Sequence, residues 1–320
     1  MPMLKKIKYQ FNDFNARFRA LKQVRRKKQR IPVFFDYLLS AMRYGASASD
    51  YFEYAFYDKK SDEKKQFACY KLKKKFLHRV NDYSKAHVFN NKSEFLRTFS
   101  EFVGRDFLDT TVCSEGEYRE FTKKHPKFIC KPQNLSCGKG IEVLEGDVAF
   151  SELKRRGSLL EELIDQHPAM NALNPNCVNS IRISVLYTHG KMEILGAALR
   201  VGNEGCIDNY CAGGWAAKVD ADTGTVLSYG CNARGERVPR HPKTGVYFPG
   251  FVIPMWDKVI ALLEDAVKVV PGVSYIGWDV AIRPNDVVLI EGNFEGMFNV
   301  LQAPGNEGIK DRVTMLLKEF

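Results

Sequence analysis

At 320 residues, with 45% hydrophobic and 27% charged side chains, the chain has an ordinary globular composition, long enough for one large domain or two smaller ones. No run approaches the roughly 18 apolar residues of a membrane span, and Met1-Pro2-Met3-Leu4-Lys5-Lys6 resembles no secretory signal, so a cytoplasmic location is expected. The net charge of +10 is uneven: residues 1–80 hold 21 Lys and Arg against 7 Asp and Glu, which leaves the remainder slightly acidic.

Phe11, Phe14, Phe18 and Leu21 fall at helical spacing beside the basic cluster Arg25–Arg30, which predicts a basic amphipathic helix. A second helix is predicted over 33–46, stopped by Gly45, and Ser47-Ala48-Ser49-Asp50 reads as a cap before the aromatic segment 51–57. A further basic helix is expected over 61–83. Residues 1–85 therefore read as a basic, all-helical N-terminal region. Three roles stay open for it: a solvated face packed on the rest of the protein, docking on an anionic membrane surface, or nucleic-acid binding. No nucleic-acid motif is present, so nucleic acid is not an expected partner. The eight cysteines include no C-x-x-C pair and signal neither zinc nor a disulfide framework; reduced cysteines in or near the core are expected.

From residue 86 onward helices and strands alternate, which marks an α+β or α/β region. Helices are expected over 91–103 and around 115–123. Phe128–Pro132 is a short strand bearing Lys131, followed by a Gly-rich turn through Ser136, Gly138, Lys139 and Gly140 and a return strand, Ile141–Leu144. A strand lysine beside such a turn can neutralise phosphates, although the P-loop spacing is absent and an ordinary tight turn explains the glycines equally well. Ser158–Ile164 is an apolar strand running into a polar linker. The strand 179–187 has Arg182 as an isolated cation, and the strand 192–199 ends at Arg200. Near the C-terminus, Tyr275–Ile282 and Val287–Asn293 flank the turn signal Arg283-Pro284-Asn285-Asp286 and read as a β-hairpin. Glu291 and Asn293, two apart on a strand, point the same way, and with Asp279 opposite they form an oxygen set that suits Mg²⁺. The alternative is a buried hairpin whose polar residues only begin turns.

The order of these parts resembles the ATP-grasp superfamily. It runs from the lysine strand and Gly-rich hairpin, through the E-E-x-I linker and the N-S-I-R-I strand, to the arginine strand, the D-N-x-x-x-G-G turn and the D…E-x-N hairpin. Gln166-His167-Pro168 and Gly277-Trp278-Asp279 make the resemblance closest to the sugar-transfer-associated ATP-grasp proteins of bacterial surface-polysaccharide (capsule) gene clusters. The resemblance implies an α+β ATP-grasp fold over 86–320, two lobes with antiparallel sheets clasping ATP. The small flexible lobe would span about 126–165 and the C-terminal lobe about 166–320.

The resemblance further implies that Lys131 contacts nucleotide phosphates and that Ser136, Gly138, Lys139 and Gly140 cover them. Glu161, Glu162, Leu163 and Ile164 would border the adenine, with Asn209 counted among the nucleotide-binding residues. Arg182 and Arg200 would face the γ-phosphate, and Asp279, Glu291 and Asn293 would hold Mg²⁺. The implied activity is that of an ATP-dependent carboxylate–amine ligase acting through an acyl phosphate on small-molecule carboxylate and amine substrates. A small-molecule kinase and a non-catalytic nucleotide-binding scaffold are the alternatives. Trp215, Arg240, His241 and Gln302, with Asn306, are candidates to line the acceptor cleft; His241 is either a general base or a loop histidine without a role. The basic N-terminus would hold the protein near lipid-linked glycan intermediates on the inner face of the membrane. Replacing Asp279 or Glu291 by its amide is expected to abolish turnover with little effect on folding.

Overall fold

The computed structural model describes residues 3–21, 28–133, 140–146, 148–203, 208, 210 and 213–320. Two antiparallel sheets organise the described residues. The smaller has the order β1-β4-β2-β3, from Phe107–Asp109 (β1), Lys127–Pro132 (β2), Glu142–Glu145 (β3) and Ser158–Glu162 (β4). The larger has the order β11-β10-β5-β6-β7-β8-β9. Its strands are Ile181–Thr188 (β5), Lys191–Val201 (β6), Trp215–Val219 (β7), Gly230–Cys231 (β8), Arg237–Val238 (β9), Tyr275–Ile282 (β10) and Val287–Asn293 (β11). The predicted C-terminal hairpin is β10–β11, and it lies at one edge of the larger sheet.

Period-two alternation divides the larger sheet's faces by chemistry. Ile181, Ile183, Val185, Ile276, Trp278, Val280 and Ile282 join the main apolar core, which is closed by helix Trp256–Ala266 and by Phe89, Phe95 and Phe99. Arg182, Ser184, Arg200, Gly277 and Asp279 stand at the intervening positions and so share the opposite face. A bulge makes this possible on β11. Asp279 pairs with Glu291 but Val280 pairs with Leu289, leaving Ile290 as an extra residue. Strict alternation would put Glu291 on Leu289's core face; the bulge turns it to the face of Asp279.

The N-terminal region is helical, as expected. Met3–Ala20 buries Phe14 and Phe18, with Leu21 just beyond, against Tyr37, Tyr51 and Phe52. Helix Arg30–Tyr44 ends at Gly45 in the left-handed conformation (φ +67°), and Ser47 with Asp50 forms a reciprocal capping box opening Ala48–Glu53. The single helix expected over 61–83 is instead two, Ser61–Lys64 and Tyr70–Val80. Between them Phe67, Ala68 and Cys69 turn inward, and the Ala68 N–H and C=O bond the Gln302 side chain (2.9 and 3.1 Å) in place of helix partners. Residues 91–103 likewise form two short helices, Lys92–Thr98 and Ser100–Val103. Helices therefore run to Val103, across the expected boundary at residue 85. Strand β1 lies between the helices expected over 91–103 and around 115–123 and exists because β4 pairs with it. The described cysteines, Cys69, Cys113, Cys130, Cys177 and Cys231, are free and buried.

Candidate active site

Asp279 lies at the centre of a buried charge array. Arg182 holds both of its oxygens (Nη2 to Oδ2, 2.9 Å) and Arg200 Nη1 donates to Oδ2 at 2.7 Å. Arg200 Nη2 reaches Asp208 Oδ1 at 3.1 Å, and Asp208 Oδ2 accepts from the Ser180 N–H (2.9 Å) and hydroxyl. Arg182 is thus not the isolated cation its sequence neighbours suggested. Its partner is 97 residues away and is brought beside it by the β5–β10 register.

Burial raises the Asp279 pKa, but Arg182 and then Arg200 outweigh it and hold the carboxyl well below the usual carboxylate range. Glu291 behaves oppositely. Burial and then the neighbouring Asp279 charge push its pKa up. A carboxylate offers about four acceptor positions. At Asp279 three take arginine N–H groups and one faces Glu291. Asn293 Nδ2 donates to Glu291 Oε1 at 3.1 Å.

This donor set fits Mg²⁺. Asp279, Glu291 and the Asn293 side chain offer hard oxygens on one sheet face, and a divalent cation between them would offset the mutual repulsion of the two carboxyls. Arg200 Nε is buried without a hydrogen-bond partner among the described residues, an orphaned donor that an anionic oxygen would satisfy.

The small sheet supplies a second cluster. Lys131 on β2 pairs with Glu161 on β4 (2.9 Å), and Arg105 binds the same carboxylate (2.8 Å). Burial raises the Glu161 pKa, but Lys131 and Arg105 bring it down to about 2. Glu161 therefore anchors the lysine, whereas Glu162, Leu163 and Ile164 follow as a half-buried rim. Arg105 also donates to the carbonyls of Leu289 (2.7 Å) and Ile290 (3.1 Å), so one guanidinium ties the small sheet to the bulge that aims Glu291. Lys92 donates to the carbonyls of Pro132 (2.8 Å) and Gln133, and lies within electrostatic range of Glu291, Lys131 and Glu161. Sequence reasoning missed Arg105, Lys92, Ser180 and Asp208. Ser180 and Asp208 lie within the N-S-I-R-I and D-N-x-x-x-G-G motifs without a role of their own there, Arg105 and Lys92 have no local signal beyond their charge, and all four act through contacts between residues distant in the sequence.

The remaining candidates are dispersed. Gly140 is exposed at φ +71°. Ser136, Gly138, Lys139 and Asn209 lie outside the described residues. Trp215 pairs with Val201 on the core face, opposite the arginines. His241 is buried, with one ring nitrogen on the Gly202 carbonyl (2.9 Å) and the other on Thr244 (3.1 Å); burial lowers its pKa. Both nitrogens are thereby engaged within the protein, as in a structural histidine. Arg240 is exposed over the Tyr247 ring. Gln302 is buried and bonds Ala68, the Tyr54 hydroxyl and the Ile309 N–H, which makes it a bridge between regions. Asn306 accepts from Lys59 at 2.6 Å.

Asp106, His125 and Glu162 bring ligand atoms within 4.8 Å of one another, but Asp106 is already paired with Lys124 and His125.

Among solved structures, the chain is similar to the ATP-grasp ligase PsnB complexed with minimal precursor (15% identity, 75% of this chain and 63% of that chain, TM-score 0.48). It is also similar to L-amino acid ligase from Bacillus licheniformis (11% identity, 65% and 40%, TM-score 0.40) and to the ADP complex of purK, N5-carboxyaminoimidazole ribonucleotide synthetase (10%, 64% and 44%, TM-score 0.40). The chain thus spans less than two thirds of the length of these structures. A search of curated protein sequences finds no match. The sequence pattern of the family described as "Sugar-transfer associated ATP-grasp" matches residues 149–318, which is more than half of the chain and includes Arg182, Arg200, Asp279, Glu291 and Asn293. The chain belongs to the sugar-transfer associated ATP-grasp family.

Proposed function

We propose that the chain is an ATP-dependent carboxylate–amine ligase acting through an acyl phosphate. The observation that carries this reading is the Arg182–Asp279–Arg200 array set against Glu291 and Asn293, with the Arg200 Nε donor unpaired. Phosphoryl transfer needs positioned positive charge more than a side-chain nucleophile. Lys131, fixed by Glu161, faces the nucleotide phosphates. Arg182 and Arg200 hold the transferring group and then the acyl phosphate, using the planar fork that suits both carboxylate and phosphoryl oxygens. Asp279, Glu291 and Asn293 would hold Mg²⁺, which when bound neutralises phosphate charge. Ser136, Gly138, Lys139 and Gly140 cover the phosphates, while Glu162, Leu163, Ile164 and Asn209 complete the nucleotide site. An amine then displaces phosphate from the activated carboxylate, in bacterial surface-polysaccharide assembly or a related pathway.

The same reading makes the protein peripheral to the inner face of the membrane. Helix Arg30–Tyr44 leaves Ile31, Phe35, Leu38, Leu39 and Met42 exposed, a helical stripe within the most basic quarter of the chain. An apolar stripe with flanking Lys and Arg suits an anionic lipid surface. No described helix is long and apolar enough to cross a membrane.

Incubation with Mg-ATP, pooled sugar acids and amino acids, and hydroxylamine tests the chemistry. Hydroxamate formation is the expected result. A stable phosphorylated product that hydroxylamine cannot trap would replace the ligase by a kinase, and no ADP release with any acceptor would leave a nucleotide-binding scaffold.

A further inference from the structure

A cavity of about 350 Å³ lies between the N-terminal helices and the segment just after β11. That volume is at the lower end of the roughly 300–1,000 Å³ of small-molecule sites. Its wall has charges of both signs: Asp50 and Glu53 from one helix, Arg17 and Lys73 from two others, and Asn299 from beyond β11.

These charges are incompletely matched to one another. Glu53 accepts from Ser49 and from Asn299 Nδ2 (3.0 Å), but its one cation, Arg17, stays 3.6 Å away. Asp50 gives Oδ2 to the Ser47 and Tyr70 N–H groups (2.8 and 2.9 Å), and among the described residues it has no ion-pair partner although the side chain is buried. Arg17 uses Nε on Asp13 and Nη1 toward Glu53; its Nη2 has no partner among the described residues. Burial raises the pKa of both Glu53 and Asp50, the sign of carboxylates short of positive charge. An ammonium group would supply that charge, and a carboxylate would satisfy Arg17 and Lys73.

One wall of the cavity also continues the chain that follows β11. Its Met297–Asn299 wall begins one residue after Gly296, whose backbone packs on Gly277 beside Arg182 and Ser184.

We propose that this cavity binds the amine substrate as a free α-amino acid, its ammonium on Glu53 and Asp50 and its carboxylate on Arg17 and Lys73. The proposal rests on the ligase reading for the reaction but not for the binding. Calorimetric titration of the full chain with the twenty common L-amino acids, with and without Mg-AMPPNP, is the test. At least one amino acid should bind, and its α-amide and its N-acetyl derivative should each bind about tenfold or more weakly, since each loses a charged hydrogen-bonding partner. Glu53→Gln and Arg17→Gln should weaken the amino acid by a similar factor while Mg-AMPPNP binding stays unchanged. Binding by none of the amino acids, or equal binding of the blocked derivatives, would overturn the proposal. If Glu53→Gln does not fold, the partly exposed Arg17→Gln and the blocked derivatives on the unaltered chain decide. Failure to bind Mg-AMPPNP would count against the ligase reading alone.

Discussion

Asp279 neutralises two buried guanidinium groups, so removing its charge leaves Arg182 without its carboxylate and Arg200 with Asp208 alone in a site shielded from water. Breaking such a pair typically costs about 3–5 kcal/mol, so Asp279→Asn should lower the melting temperature by many degrees. This prediction departs, for Asp279, from the expectation that amidating either carboxylate has little effect on folding. Glu291→Gln should lie closer to that expectation, because burial and the neighbouring Asp279 charge oppose the ionised form that glutamine removes. Its thermal unfolding should match the unaltered chain, while Mg²⁺ affinity and turnover fall at least about tenfold. Glu161 predicts a pH effect. Its folded pKa of about 2 lies below the ordinary glutamate value of 4.5, so it contributes stability above the unfolded pKa that is lost as pH falls through the folded one. Denaturant midpoints should therefore decline between about pH 5 and 2 by the equivalent of about 3 kcal/mol, and in Glu161→Gln that part of the decline should be absent.

At the scale of elements, the Glu291-Gly292-Asn293 segment shows why a glycine stands between two candidate ligands. Gly292 points to the core face, and a Cβ there would lie 2.9 Å from Phe89 and 3.0 Å from Phe95. Those rings belong to the helices that close the core over β10 and β11. Gly292→Ala should therefore destabilise the fold by about 1–3 kcal/mol through overpacking, and should shift Glu291 and Asn293 as the helices or the strand give way. A loss of Mg²⁺ affinity larger than the stability change accounts for would show that shift; unchanged stability would refute the packing account. Arg105 acts across elements as well. It occupies the carbonyls of Leu289 and Ile290 at the β11 bulge and holds Glu161 of β4.

At the scale of the molecule, the basic helical region is fastened to the part that carries the larger sheet. Gln302 bonds Ala68 through both backbone groups and also reaches the Tyr54 hydroxyl, and Asn81 pairs with both the N–H and C=O of Tyr275 on β10. Gln302→Leu would strand several buried polar groups at about 1–3 kcal/mol each, so protease should cut the 56–70 segment much faster than in the unaltered chain. Equal cleavage rates would refute that role. The exposed stripe of helix Arg30–Tyr44 predicts co-sedimentation with phosphatidylserine vesicles at low salt, weakened by Phe35→Glu and Met42→Glu; recovery of all protein in the supernatant would remove the membrane reading.

The amphipathic helices, the Gly45 stop, the Ser47 cap and the β10–β11 hairpin were legible in the sequence because each depends on side-chain period and turn chemistry within a few residues. The ordered motifs also pointed to the family, since Lys131, Arg182, Arg200, Asp279, Glu291 and Asn293 keep their order along the chain. What only the tertiary structure decided were the pairings: Asp279 with two arginines, Glu161 with Lys131 and Arg105, and the break at Phe67–Cys69 where Gln302 docks. It also decided which face a residue takes. Trp215 looked like a cleft residue and went to the core face, and Glu291 reached the arginine face through one extra residue in β11. Such contacts join positions tens to hundreds of residues apart, and strand register, which local periodicity does not encode, determines which of them meet.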